Sequence, residues 1–226
     1  MANNPAASPR EQLFDFLEFV RFTNLFRSID RAIWFKGVRE NERDGEHAFQ
    51  LALCAWYLNQ RLGLNLDVTR LIMYALVHDL VETYAKDTPA FANIMARIIY
   101  VESERITRAD KDKREREALE RIEREWGERF PEMVEHMHKY WDQADDESQF
   151  IYALDKLVAG LNIYEDKGRT YFKLDLTLKE VDAYQRPKVA KCPAVLALYE
   201  VLYAELAANE PSFFNNIIRK NENGDQ

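Results

Sequence analysis

Residues 74–82 read Tyr74-Ala75-Leu76-Val77-His78-Asp79-Leu80-Val81-Glu82, an imidazole and two carboxylates set inside an apolar run. Val68, Leu71, Ile72, Ala75, Leu76 and Leu80 recur at helical intervals, which predicts a helix with a buried stripe. A carboxylate at Asp79, with Leu76-Val77 before His78 and Leu80-Val81 after it, is costly to bury unless it is paired or bound to metal. A helix continued through the stretch would bring Glu82, four residues from His78 and three from Asp79, onto their face.

Working outward, His47 stands one predicted helix earlier in Gly45-Glu46-His47-Ala48. Asp155 stands far downstream in Tyr152-Ala153-Leu154-Asp155-Lys156-Leu157, again an acid within an apolar helical run. His47, His78, Asp79 and Asp155, from three predicted helices, make a mixed imidazole and carboxylate set for one divalent cation. That shell suits Mn, Co, Fe or Mg better than a structural zinc, which favours cysteine. The other two histidines, His136 and His138, are two residues apart on a predicted helix. They point to different faces and read as non-ligands.

The fold class expected is all-α. Gly and Pro number only seven each among 226 residues, too few for a turn-rich β-sandwich. Helices are expected from Pro9-Arg10 to Ser28, from Asp44 or Gly45 to Gly63, and from N-cap Asp67 to a stop before Asp87-Thr88-Pro89. Asp44 reads as the N-cap of the second, and residues 30–45 as a connecting turn. A charged helical stretch follows from Phe91 to Trp126, then helices over Pro131–Trp141, Glu147–Tyr164, 176–190, 193–208 and 211–219. No strand is expected. The pattern reads as a single domain over 10–208, its motifs within 13–165, with flexible tails at 1–9 and 221–226.

The formal charge is -8 and the sequence pI about 5.2, which argues against a nucleic-acid polymer or an anionic membrane as partner. A small phosphorylated substrate is compatible with a local cluster of cations. No apolar run approaches membrane-spanning length, and the N-terminus lacks a signal-peptide apolar region. Two cysteines make no disulfide framework. The expected location is the cytoplasm, and aromatic helical faces allow a homodimer.

The order His47 … His78-Asp79 … Asp155 resembles the signature of the HD superfamily. Arg31 to Pro89 is most similar to the HD-domain 5′-deoxynucleotidases, through Arg31, Glu40-Asn41, Glu46-His47, His78-Asp79-Leu80-Val81-Glu82 and Lys86-Asp87-Thr88-Pro89; Asp155-Lys156-Leu157 matches the family's last segment. The resemblance implies an HD-domain helical bundle with additional C-terminal helices. It implies a metal-dependent phosphohydrolase acting on nucleoside 5′-monophosphates, with deoxyribonucleotides among the candidates. His47, His78, Asp79 and Asp155 would hold one divalent metal ion, Glu82 and Asp87 would orient or activate the attacking water, and Arg31 would grip the phosphate. Trp34, Lys86 and Asp142 are further candidate substrate contacts. Two departures stand out. The segment between Asn41 and Glu46 is longer than the family's, and Ala32 follows Arg31 where the family has Trp, the nearest being Trp34. The sugar preference stays open, as do two alternatives: a dNTP triphosphohydrolase or other HD phosphohydrolase, and a non-catalytic metal- or nucleotide-binding module acting through the charged 102–129 segment.

Overall fold

Helix α1 (Pro9–Phe26) starts at a capping box: Ser8 Oγ accepts the Glu11 N–H, and the Glu11 carboxylate accepts the Ser8 N–H at 2.8 Å. This computed structural model describes residues 8–34, 40–85 and 108–214. After α1 the chain forms a short antiparallel hairpin, β1 (Asp30–Trp34) and β2 (Asn41–Arg43), pairing Asp30 with Arg43 and Trp34 with Asn41. The expectation of a plain connecting turn over 30–45, with no strand in the chain, is corrected here. The inward position of β2 is Glu42, fully buried. Its alternation is therefore polar and carries no hydrophobic period-two signal.

Helix α2 (Asp44–Leu62) follows directly. Arg43 is its N-cap residue, its N–H donated to Glu46 Oε2 at 2.9 Å, and Asp44 is the first helical residue. The expected capping role of Asp44 is corrected: its carboxylate is buried and bonded to Arg31. Gly45 lets this first turn close on the end of α1, since a Cβ there would come within 2.9 Å of Arg27 Cβ. Gly63 ends α2 in the left-handed region, φ +62°, as its position suggests.

Asp67 caps helix α3 (Val68–Val77) by accepting the Thr69 and Arg70 N–H groups at 2.8 and 3.3 Å. The helix ends sooner than expected. Residues 78–81 form a tight turn, with Leu80 N–H on Val77 O at 3.1 Å and Glu82 N–H on Asp79 O at 2.8 Å. A short helix α4 (Glu82–Ala85) then begins. The predicted continuous helix carrying His78, Asp79 and Glu82 is thus corrected. Leu80 and Val81 are both buried, so the apolar spacing runs unbroken across the turn and hides it.

The remaining helices are α5 (Arg108–Trp126), α6 (Pro131–Asp142), α7 (Asp146–Glu165), α8 (Arg169–Lys173), α9 (Leu178–Val189), α10 (Pro193–Ala208) and α11 (Glu210–Phe213). The helix expected over 211–219 is broken at Phe214, which is extended after Phe213, and residues 215–219 lie outside the described residues. Of the tail expected at 1–9, Ser8 and Pro9 instead start α1; residues 1–7, the tail at 221–226 and the first part of the charged 91–126 stretch lie outside the described residues.

Helix α7 is the hub. Asp145 caps it, accepting the Ser148 N–H at 2.8 Å and the Tyr74 hydroxyl at 2.6 Å. It packs against α2, α3, α6, α8, α9, α10 and β1. One core, including Leu51, Leu71, Tyr74, Phe150, Ile151 and Leu154, joins α2 and α3 to α7 and the C-terminal helices. A second, including Phe22, Phe26, Val77, Leu80, Ile122 and Met137, joins α1, α5 and α6 to the turn after α3. His78 and Asp79 fall where the two cores meet. Leu76, expected on the buried stripe of α3, is exposed, as are Leu13, Phe14, Trp56 and Leu161. No helix among the described residues is long and apolar enough to cross a membrane.

Candidate metal centre

The hairpin, the first turn of α2, the turn after α3 and the middle of α7 bring their polar side chains to one buried spot. One ligand atom each from His47, His78 and Asp155 lie within 4.8 Å of one another, and all three residues are buried. The His47 and His78 rings stand 5.4 Å apart. Asp79 borders this group, its Oδ2 2.9 Å from His78 Nε2.

His78 Nδ1 lies 2.9 Å from the carbonyl oxygen of Ala75. A carbonyl only accepts, so Nδ1 carries the proton, and Nε2 is the nitrogen turned toward the cluster. That buried nitrogen makes no hydrogen bond, although Asp79 Oδ2 is close. A lone pair held against a carboxylate repels it unless a proton or a metal cation answers both. Tyr140, packed edge-on at 5.9 Å, helps hold the ring.

His47 has carboxylates on both nitrogens: Asp155 Oδ1 is 2.8 Å from Nε2 and Glu42 Oε2 is 3.5 Å from Nδ1. Burial opposes the imidazolium, but Asp155 and Glu42 outweigh it and push the pKa up to about 9. Burial likewise opposes charge on Asp79 and Asp155. The neighbours around them outweigh it, His78 and Arg31 at Asp79, Lys156 and His47 at Asp155, holding both carboxyls below the usual carboxylate range.

Arg31 enters from β1. Its Nη1 donates to Asp79 Oδ2 at 2.7 Å and Asp44 Oδ1 at 3.1 Å, Nε lies 3.2 Å from Glu42, and Nη2 lies 3.9 Å from Asp155. Four carboxylates therefore converge on one guanidinium whose side chain is 13% exposed. Lys156 bonds the other oxygen of Asp155. Glu82 is buried at the start of α4.

The remaining expected site residues are placed as follows. Asp87 and Lys86 lie outside the described residues. Trp34 is at the end of β1, with Lys173 and Arg169 over its ring at 4.5 and 4.9 Å. Asp142 is exposed at the last residue of α6, and no contact among the described residues ties it to the cluster. His136 Nδ1 is instead 2.7 Å from the carbonyl oxygen of Glu132, and His138 Nε2 lies 3.5 Å from Glu123 Oε2. Three cluster residues escaped the sequence reading. Glu42 and Asp44 sit in a charged stretch that looks solvated. Asn162, seven residues from Asp155 and so on the same face of α7, donates to Glu42 Oε1 at 3.0 Å.

Residues 23–195 match the family described as HD domain. The chain belongs to the HD-domain family. Among solved structures, the chain is similar to a predicted metal-dependent phosphohydrolase from Magnetospirillum magnetotacticum MS-1: TM-score 0.72 and 23% identity, covering 92% of this chain and 99% of that one. A protein from Pyrococcus horikoshii OT3 gives TM-score 0.56 at 22% identity, over 83% of this chain and 96% of that one. A conserved hypothetical protein from Pyrococcus furiosus gives 0.53 at 20%, over 82% and 96%. These likenesses concern the fold. No curated protein matches. Within the HD-domain family fold, the donor set present, imidazole nitrogens with carboxylate oxygens and an unanswered buried lone pair, fits a divalent cation of the hard or borderline class.

Proposed function

We propose that this HD-domain protein is a metal-dependent phosphohydrolase that cleaves the phosphate ester of nucleoside 5′-monophosphates. The observation that carries the reading is the junction of His47, His78, Asp79 and Asp155 with Arg31, in which an orphaned His78 Nε2 faces a carboxylate beside a buried guanidinium. These four residues would hold one divalent cation, of which Mn, Co, Fe and Mg all suit the donors. When bound, the cation would polarise a phosphoryl oxygen and make water a better nucleophile.

The chain's own groups divide the remaining work. Glu82 stands three residues beyond Asp79 and, with Asp87, is the candidate acceptor for a proton of the attacking water. Water oxygen bonds to phosphorus, the ester P–O bond breaks, and the nucleoside leaves with a proton on its oxygen. Arg31 would turn donors from the acid cluster to the phosphate as negative charge builds there. Glu42 orients His47, and Asn162 orients Glu42.

The test is product formation from nucleoside mono-, di- and triphosphates with added Mn, Co or Mg, against Asp79→Ala. Orthophosphate from monophosphates, lost in the variant, is the expected result. Triphosphate released from dNTPs would replace the reaction while keeping the centre. No product from any nucleotide would sink the reading.

A further inference from the structure

Arg31 is not the only cation at the centre. Lys156 follows Asp155 on α7 and bonds its Oδ2, while His47 and Arg31 approach Oδ1. On α5, packed against the short helix that carries Glu82, Lys111 pairs with Glu115 at 3.3 Å. The charges of Glu82, Asp79 and Lys156 all act on Lys111. The side chains of Lys156 and Lys111 are 27% and 33% exposed, against 13% for Arg31. The lysines therefore mark where the buried centre meets solvent. Tyr152 on α7 stands beside Lys156, its ring 5.6 Å from Nζ.

We propose that Lys156 and Lys111 form a second phosphate grip beside Arg31, built for the dianion of a phosphate monoester; this rests on the phosphohydrolase reading above. An ammonium is a compact point charge on a flexible stem, so it can leave a carboxylate for a phosphate oxygen without the fixed fork of a guanidinium. Both lysines now hold carboxylates, Asp155 and Glu115, and can exchange them for an incoming anion. The number of negative charges the site can take is limited. Glu42, Asp44, Asp79, Glu82, Glu115 and Asp155 surround Arg31, Lys156 and Lys111, so even with a divalent cation one phosphate is balanced far better than three. The grip assigns a role to the start of the charged helix α5, whose remaining pairs are solvated.

The experiment is a calorimetric titration of orthophosphate into protein loaded with one equivalent of Mn and freed of excess metal. Wild type, Lys156→Met, Lys111→Met and Lys156→Arg are compared, and Mn is titrated separately into each metal-free protein. Removing one charge-assisted hydrogen bond should weaken phosphate binding about ten-fold in Lys156→Met. The loss should be smaller in Lys111→Met, most of the affinity should return in Lys156→Arg, and Mn affinity should not fall in any variant. Should Lys156→Met not fold, Lys111→Met and Lys156→Arg carry the test. Phosphate affinity unchanged in the methionine variants overturns the grip. So does a loss of phosphate binding matched by an equal loss of Mn binding, because Lys156 would then only prop Asp155. A wild type that binds phosphate through these lysines yet hydrolyses no monoester keeps the grip and ends the phosphohydrolase reading. Monoester turnover with phosphate affinity unmoved does the reverse.

Discussion

Arg31 and Lys139 each hold a carboxylate, Arg31 with Asp79 inside the molecule at 2.7 Å, Lys139 with Glu135 on α6 at 2.6 Å. The pairs look alike on paper and differ in everything around them. Lys139 and Glu135 are 45% and 61% exposed, a helical i,i+4 pair in water, as are Lys113 and Glu117. Water and salt screen such pairs, and their net contribution is small. Around Arg31 no such screening is available. Glu42 and Asp44 are fully buried, Asp155 nearly so, and all three converge with Asp79 on one guanidinium. Burial, rather than residue type, turns ordinary charged side chains into a site with a demand for a cation.

The largest expected break of this comparison is Arg31→Ala in metal-free protein. It leaves a group of buried carboxylates without their main counter-charge and should cost about 3–5 kcal/mol in urea unfolding. Added Mn should recover much of that loss, since it supplies the missing positive charge. If Arg31→Ala unfolds at the wild-type midpoint without metal, the cluster is not the charge-dense centre described here. Next comes Glu42→Gln, which leaves the size of the side chain but removes the negative charge facing His47 Nδ1. Metal affinity should fall about 10- to 100-fold, read by calorimetry.

A pH series sharpens the same contrast. Because the pKa of His47 is raised to about 9 from an ordinary 6.5, its imidazolium stabilises metal-free protein fully below about pH 6.5, and that contribution is lost as pH rises through 9. Metal needs the unprotonated ring, so Mn affinity should climb by up to about ten-fold per pH unit across this window and level off above it. A flat profile would contradict the paired state of His47. The smallest effect belongs to the surface: Lys139→Ala should leave the thermal midpoint and metal binding where they are.

The same contrast accounts for what could be read from the chain alone. Asp79 and Asp155 were legible because each interrupts an apolar helical run, where an acid has no cheap explanation. His47 and His78 were legible because a four-histidine chain allows each one to be weighed. Glu42 and Asp44 were not, because Arg39 to Asp44 is a run of charged and polar residues that reads as a solvated turn. Only pairing with β1 turns Glu42 inward. Helix starts at Asp67 and the stop at Gly63 followed from capping chemistry and stand as expected. The break after Val77 left no mark, since buried Leu80 and Val81 continue the apolar rhythm through the turn. Lys111 was hidden for the opposite reason: it belongs to a helix so uniformly charged that no single residue stands out, and only packing against α4 brings its start to the centre.

The central claim is that His47, His78, Asp79 and Asp155 hold a single divalent cation. Bound-metal analysis after equilibration with Mn, on wild type and on Asp155→Asn, tests it most directly. Asparagine keeps the shape and removes the charge, and circular dichroism confirms that the fold is retained. The expected result is one equivalent per chain in wild type and none in the variant. Equal metal content in the two proteins, or none in either, would contradict the account.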